Sequence, residues 1–195
     1  LLQGYVPPQA LPALAGAVPV FPDDLSDFLN YRLLLSAWPP IADLTPELEA
    51  RLRRGAYAPL SFTERVRALK SRELTYTRVS RALLHLTLNL TREETDGWKA
   101  AGYAPYARIL GFSRKSAPLL SCLKRRSQIP LLAKTADARA RLSPGARSML
   151  ECEIRAAHLW QTMRQTKMAG FPGPLPRNAG SAFKNAYTAG LVILP

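Results

Sequence analysis

Arg78, Arg81, His85 and Asn89 recur at helical spacing within the segment Lys70–Thr91. At about 100° per residue they share one face of a helix, while Val79, Leu83, Leu86 and Leu90 share another. Leu84 and Leu88 lie beyond the polar stripe, so apolar side chains flank it on both sides. A solvated face would be broader and would mix charges of both signs. A narrow basic stripe on a mostly buried helix is suited to meet an anion, and arginine can grip a phosphate with paired hydrogen bonds. The opposing reading is structural, with Arg78 or Arg81 buried against Glu64, Glu73 or Glu94. Lys70 and Arg72 lead into the stripe, and Tyr76 adds a ring at its start.

A second group of cations follows Gly111-Phe-Ser-Arg-Lys-Ser116. Hydroxyls with Arg114 and Lys115, ahead of a helix N-terminus, suit a phosphate, because the amides there are unpaired and the helix dipole favours negative charge. The spacing is not that of a P-loop, and an ordinary helix cap explains the same residues. Lys124, Arg125 and Arg126 close that helix, where cations also complement its C-terminal dipole. Tyr76, Tyr103 and Tyr106 interleave with the cations and suit either base stacking or a core. His85 has no carboxylate or nucleophile beside it in sequence, which favours RNA contact or structure over catalysis. Glu151 and His158 make only a single carboxylate–His pair, short of a metal set. No catalytic or metal-ligating residue is assigned.

The net charge of +13 over 195 residues is unevenly spread. Residues 1–50 hold Arg32 against six carboxylates, net −5. Residues 51–90 hold nine cations against Glu64 and Glu73, net +7, and residues 108–147 hold ten against Asp137, net +9. Such asymmetry points to a polyanion, whose counterions are released on binding, or else to an Arg-rich composition without function. The apolar fraction of 47% argues against disorder. No apolar run approaches the ~18 residues that span a bilayer, and the first residues lack the basic start of a signal peptide. Cys122 and Cys152 lack metal-type spacing and read as reduced, buried thiols of a cytoplasmic protein.

The elements that must position these residues are mainly helical. Residues 1–22 are Pro-rich and read as a linker with one short helix near Gln9–Ala15. Asp23 or Asp24 starts a helix through Ser36, ended by Trp38-Pro-Pro40. Thr45-Pro46 opens a helix to Arg54. Ser61-Phe-Thr-Glu64 is a capping box for a helix to Arg72, and Thr91-Arg-Glu-Glu94 is another for a helix closing at Gly102. Between them the striped helix runs from Thr75 or Thr77 to Leu90. Ala107–Phe112 and Ile129–Ala133 are short apolar runs around a helix at Ala117–Arg126, the pattern of a small βαβ unit with parallel strands. Ser143-Pro144 caps a long helix to Lys167, with Met149, Leu150, Ile154, Ala157 and Met163 on its apolar face. A Gly/Pro-rich tail follows, and Leu191–Leu194 suits a final strand. The fold class is mainly α, a helical domain with a small βαβ-like α/β element.

The run Leu69–Asn89, with Tyr106–Phe112 and Ile129–Lys134, resembles the C-terminal half of bacterial tRNA(Met) cytidine acetate ligases, a family of His-x-Gly-His-type nucleotidyltransferases. Lys70, Thr75, Tyr76, Thr77, Arg78, Arg81 and His85 stand on matching positions, as do Arg108, Gly111, Phe112, Pro130 and Lys134, and Arg108 joins the candidate RNA contacts. Glu73 and Leu74 depart from the pattern. Neither His85 nor His158 stands in a His-x-Gly-His motif, so the resemblance implies a division of the enzyme. Residues 1–22 would link to an N-terminal nucleotidyltransferase domain outside this chain, residues 23–169 would bind RNA, and residues 170–195 would form the tail. The implied reaction uses ATP to activate acetate as acetyl-adenylate and passes the acetyl group to the wobble cytidine, giving N4-acetylcytidine. ATP and acetate would then belong to the full-length enzyme, with no cofactor in this stretch. The expected partners are tRNA, specifically elongator tRNA(Met), and the N-terminal domain, with no membrane and no DNA. The alternative function is a protein-interaction or dimerisation module without RNA contact.

Overall fold

Hydroxyl side chains start the helices that matter most. Thr45 accepts from the Leu48 amide at 3.3 Å and opens α3 (Pro46–Arg54). Ser61 and Glu64 exchange hydrogen bonds across the first turn of α4 (Phe62–Leu69). Thr75 accepts from the Arg78 amide at the start of α5 (Tyr76–Leu88). Thr91 and Glu94 repeat the reciprocal box at α6 (Arg92–Ala100). Each satisfies amides that the helix itself leaves unpaired, at about 1 kcal/mol apiece.

The computed structural model describes residues 4–15, 17–35, 37–169, 187 and 190–195. Besides the four helices above it holds α1 (Leu11–Ala15), α2 (Ser26–Leu34), α7 (Ala117–Arg126), α8 (Ala138–Arg141) and the long α9 (Pro144–Ala169). The main core gathers Leu29 and Leu33 of α2, Leu48 and Leu52 of α3, Phe62 and Val66 of α4, and Val79, Leu83 and Leu86 of α5. Met163 of α9 joins it. Helix α5 is central, packing against α2, α4 and α9. Helix α6 lies on α9, where Trp98 and Leu90 meet Ala42 and Cys152. Burial pushes the Cys152 thiol up, which keeps it protonated and inert.

The expected βαβ unit is present. Strand β1 (Ala107–Arg108) pairs in parallel with β3 (Leu131–Leu132), and α7 connects them. The run read as one strand is in fact two, because pairing changes partner midway. The Ile109 amide donates to Leu132, whereas Leu110 accepts from the Val192 amide. Strand β2 (Gly111–Ser113) therefore pairs in parallel with β4 (Val192–Leu194). A Cβ at Gly111 would stand 2.6 Å from the Val192 carbonyl oxygen, so only glycine admits this approach.

Helix ends are shorter than the periodicity predicts. Helix α2 stops at Leu34, α4 at Leu69 and α5 at Leu88, where Asn89 turns left-handed at φ 54° and caps the helix. On α9, Ala157 is exposed while Ala146 and Cys152 are buried. Among the described residues no helix is long and apolar enough to cross a membrane. Most of the Gly/Pro-rich tail, residues 170–186, lies outside the described residues.

Candidate nucleic-acid interface

Helix α5 has the two faces its spacing predicts. Val79, Ala82, Leu83 and Leu86 are fully buried, and Arg78 and Arg81 are exposed, with His85 partly so. Two details differ. Leu84 faces outward at 37% exposure, so the second apolar flank is partly open. Asn89 leaves the stripe: its backbone turns left-handed at the end of α5, and its side-chain oxygen accepts from the Arg32 guanidinium of α2.

The stripe forms one wall of a cavity of about 640 Å³, of which α6 supplies the other. Arg78, Arg81 and His85 come from α5; Arg92, Asp96, Trp98 and Lys99 come from α6. Asp43, in the turn before α3, and Tyr103, just past α6, complete it. Asp43 adopts φ 60°, a left-handed backbone that aspartate tolerates. Its carboxylate receives Arg81 as a fork, Nε to Oδ2 at 2.8 Å and Nη2 to Oδ1 at 3.3 Å. His85 Nδ1 stands 3.2 Å from the same Oδ2 and 3.2 Å from the Ala42 carbonyl. Both neighbours are acceptors, so Nδ1 carries the hydrogen. Arg92 reaches back to the Leu44 carbonyl at 3.2 Å. Among the described residues, the Arg78 and Lys99 side chains have no hydrogen-bond or ion-pair partner.

The structural alternative for the stripe has a part of the truth and the wrong partner. Arg81 is paired, but with Asp43 and not with Glu64, Glu73 or Glu94. Glu64 and Glu94 serve their own helix caps, and Glu94 also accepts from Ser148.

The remaining candidates do not join this cavity. Lys70, Arg72 and Tyr76 are exposed around the turn that precedes α5. Arg108 is taken by an ion pair with Glu153, and Tyr106 donates to the same carboxylate at 3.0 Å. Burial and then the Glu153 charge push the Tyr106 phenol far above its ordinary value. Both residues therefore tie β1 to α9. Arg114 and Lys115 sit in a 3₁₀ turn before α7, where the Ser113 and Ser116 hydroxyls bond each other at 3.0 Å rather than cap the helix. Lys124, Arg125 and Arg126 are exposed on the last turn of α7. Sequence reasoning missed Asp43, Arg92, Asp96, Trp98 and Lys99 as members of the site. The spacing of Arg92, Asp96 and Lys99, four and then three apart, was the available signal for a shared face of α6.

Residues 2–170 match the family model described as HIGH Nucleotidyl Transferase. The chain is 32% identical over 180 residues to a tRNA(Met) cytidine acetate ligase of Acetivibrio thermocellus, covering 87% of this chain and 40% of that protein. It is 29% identical over 170 residues to the protein of the same name from Leuconostoc citreum, covering 83% and 41%. Its fold matches that of Thermotoga maritima TmcAL in an apo crystal form with TM-score 0.76 at 18% identity, covering 95% of this chain and 44% of that one. A second form of that protein, bound with alpha-thio ATP, matches with TM-score 0.75, covering 93% and 44%. The chain thus spans less than half the length of these relatives.

One expectation is corrected by these matches. The chain was expected to have no cofactor of its own, yet the nucleotidyltransferase family model runs through residues 2–170, including the segment read as a linker. The physical reason is that a missing His-x-Gly-His motif speaks only to one way of holding a nucleotide. Cations and rings brought together by folding leave no contiguous motif in the sequence.

Proposed function

The chain belongs to the HIGH Nucleotidyl Transferase family, and from that membership we propose that it is the tRNA-facing, C-terminal part of an ATP-dependent tRNA(Met) cytidine acetate ligase. The full enzyme would form acetyl-adenylate from acetate and ATP, releasing pyrophosphate. The N4 amine of the wobble cytidine of elongator tRNA(Met) would then attack the acetyl carbonyl, with AMP leaving. The part of the work argued for this chain is positioning: Arg78 and Lys99 neutralise tRNA phosphates, while Arg81 and Arg92, held by Asp43 and the Leu44 carbonyl, fix the shape of the wall. The observation that carries this reading is the convergence of α5 and α6 cations on one cavity, two of them without partners among the described residues.

The test is tRNA(Met) binding by the intact chain as salt is raised. Affinity should fall steeply, and Arg78→Ala with Lys99→Ala should weaken it by about tenfold or more, roughly 1.4 kcal/mol, while lowering the salt slope by about one to two. The melting temperature should not move, since both side chains are exposed. A flat salt dependence, or a double variant that binds normally, would defeat the reading. One observation favours a second reading for the α/β element: α7 buries no side chain, and Leu119 and Leu123 are 57% and 45% exposed. There the interaction-module reading is the better one, and replacing both leucines by Ser should leave tRNA binding intact.

A further inference from the structure

The cavity between α5 and α6 is more than a basic patch, because it brings together cations and an acceptor that have no partner among the described residues, and a ring. We propose that it is a subsite for a single nucleoside phosphate, with Arg78 and Lys99 on the phosphate, Asp96 accepting from a sugar hydroxyl or base amine, and Tyr103 stacked on the base. The inference rests on the reading above, since tRNA and ATP both present this chemistry, one as an unpaired nucleotide and the other as a free one.

Size and charge set the class of ligand. About 640 Å³ lies in the range of small-molecule sites and accommodates one nucleotide. Four cationic side chains line it against the carboxylates of Asp43 and Asp96, which leaves a positive surplus for an anion. The surplus is available because it is local. Arg81 is spent on Asp43 and Arg92 is tethered to a carbonyl, but among the described residues Arg78 and Lys99 are uncommitted. Lys99 lies three residues after Asp96, so cation and acceptor share one face of α6.

Phosphate alone would need only the cations. The rest of the cavity argues for a nucleoside. Trp98 forms an apolar part of the lining at 9% exposure, and Tyr103 stands 53% exposed. Tyr103 also has φ 61°, a left-handed backbone rarely adopted by an aromatic residue. Gly102 before it is left-handed as well, at φ 82°, and the Tyr103 amide is held by the Trp98 carbonyl at 2.9 Å. The turn that ends α6 is thereby wound so that a ring, rather than a glycine, ends it at the cavity. Of the three tyrosines that interleave with the cations, Tyr103 alone lines this space: Tyr76 does not, and Tyr106 is bonded to Glu153.

Isothermal titration of the intact chain with AMP, ATP, inorganic phosphate and an unstructured five-nucleotide RNA tests this. Tyr103→Asn keeps a residue type that accepts positive φ and removes the ring, so the fold is not the variable. It should weaken AMP and the pentanucleotide by about tenfold, as expected for loss of one stacked base, and leave inorganic phosphate unchanged. Tyr103→Phe should restore both. Arg78→Ala with Lys99→Ala should weaken all four probes. Mutual displacement of AMP and tRNA(Met) would identify the occupant as an RNA nucleotide; ATP that binds more tightly than AMP and resists tRNA would identify it as the free nucleotide. Nucleotide and RNA affinities that ignore Tyr103→Asn would overturn the subsite, even if tRNA binding remained sensitive to salt and to the cation pair. Failure of tRNA to bind the unaltered chain would instead defeat the reading above, and the AMP titration would still decide the subsite.

Discussion

The helical body and the α/β element are both rich in arginine, but they use it differently. On α5 the guanidiniums of Arg78 and Arg81 project from a helix whose other face is completely buried, so they are held on a rigid frame. In the α/β element the strands are two or three residues long, α7 buries nothing, and Arg108 is consumed by Glu153. A cation is open to an anionic partner where no carboxylate claims it, and it is held in place where the backbone beneath it is packed. Arg81 marks the boundary between the cases: Asp43 holds it, yet its side chain stays 55% exposed and lines the cavity, whereas Arg108 is only 21% exposed. A surface pair of this kind orients more than it stabilises, contributing about 1 kcal/mol at most.

The contrast can be broken most forcefully in the core. Leu83 is fully buried beneath the stripe. Leu83→Ala should cost about 2–5 kcal/mol, read as a lower denaturation midpoint. Leu119→Ala, on the exposed face of α7, should stay within about 0.5 kcal/mol. Equal losses at the two sites would mean that the α/β element is packed as firmly as the body.

Gly111→Ala sharpens the comparison from the other side. The added Cβ collides with the Val192 carbonyl, so β2 and β4 should separate at a cost of about 1–3 kcal/mol. Hydrogen exchange should accelerate at the Val192 amide, which donates to Leu110, while the amides of α5 keep their protection. Faster exchange throughout α5 would show the two regions to be one cooperative unit.

The smallest effect concerns the join between α6 and α9. Burial alone would raise the Glu94 carboxyl, but hydrogen bonds from Thr91 and Ser148, with the charge of Arg155, hold it below its ordinary value of 4.5. A carboxyl depressed in the folded state stabilises fully above its unfolded value and loses that contribution as pH falls through its folded value. Unfolding midpoints of the native chain and Glu94→Gln should therefore differ by about 1 kcal/mol near neutral pH and converge as pH falls from 4.5 through the lower folded value. A gap that persists in acid would assign the effect to packing and not to charge.

Much of the fold was legible because caps and periodicities are local. Thr45, Ser61, Thr75 and Thr91 cap the helices their sequence announces, and Val79, Leu83 and Leu86 bury the face their spacing defines. The parallel pairing around α7 was legible too, since a short strand, a helix and a second short strand have few ways to connect. The split between β1 and β2 was not, because β4 lies about eighty residues further along and nothing near Leu110 signals it.

The site divides along the same line. By itself the sequence determined that Arg78, Arg81 and His85 share a face, since that follows from 3.6 residues per turn. Only the tertiary structure decided which cations are free, bringing Asp43 to Arg81 across 38 residues and Glu153 to Arg108 across 45. It also laid α6 beside α5, so that Lys99 and Tyr103 close a cavity that neither helix contains alone. Charges pair according to distance in space, and that distance is set by how buried faces pack, which spacing along the chain does not encode.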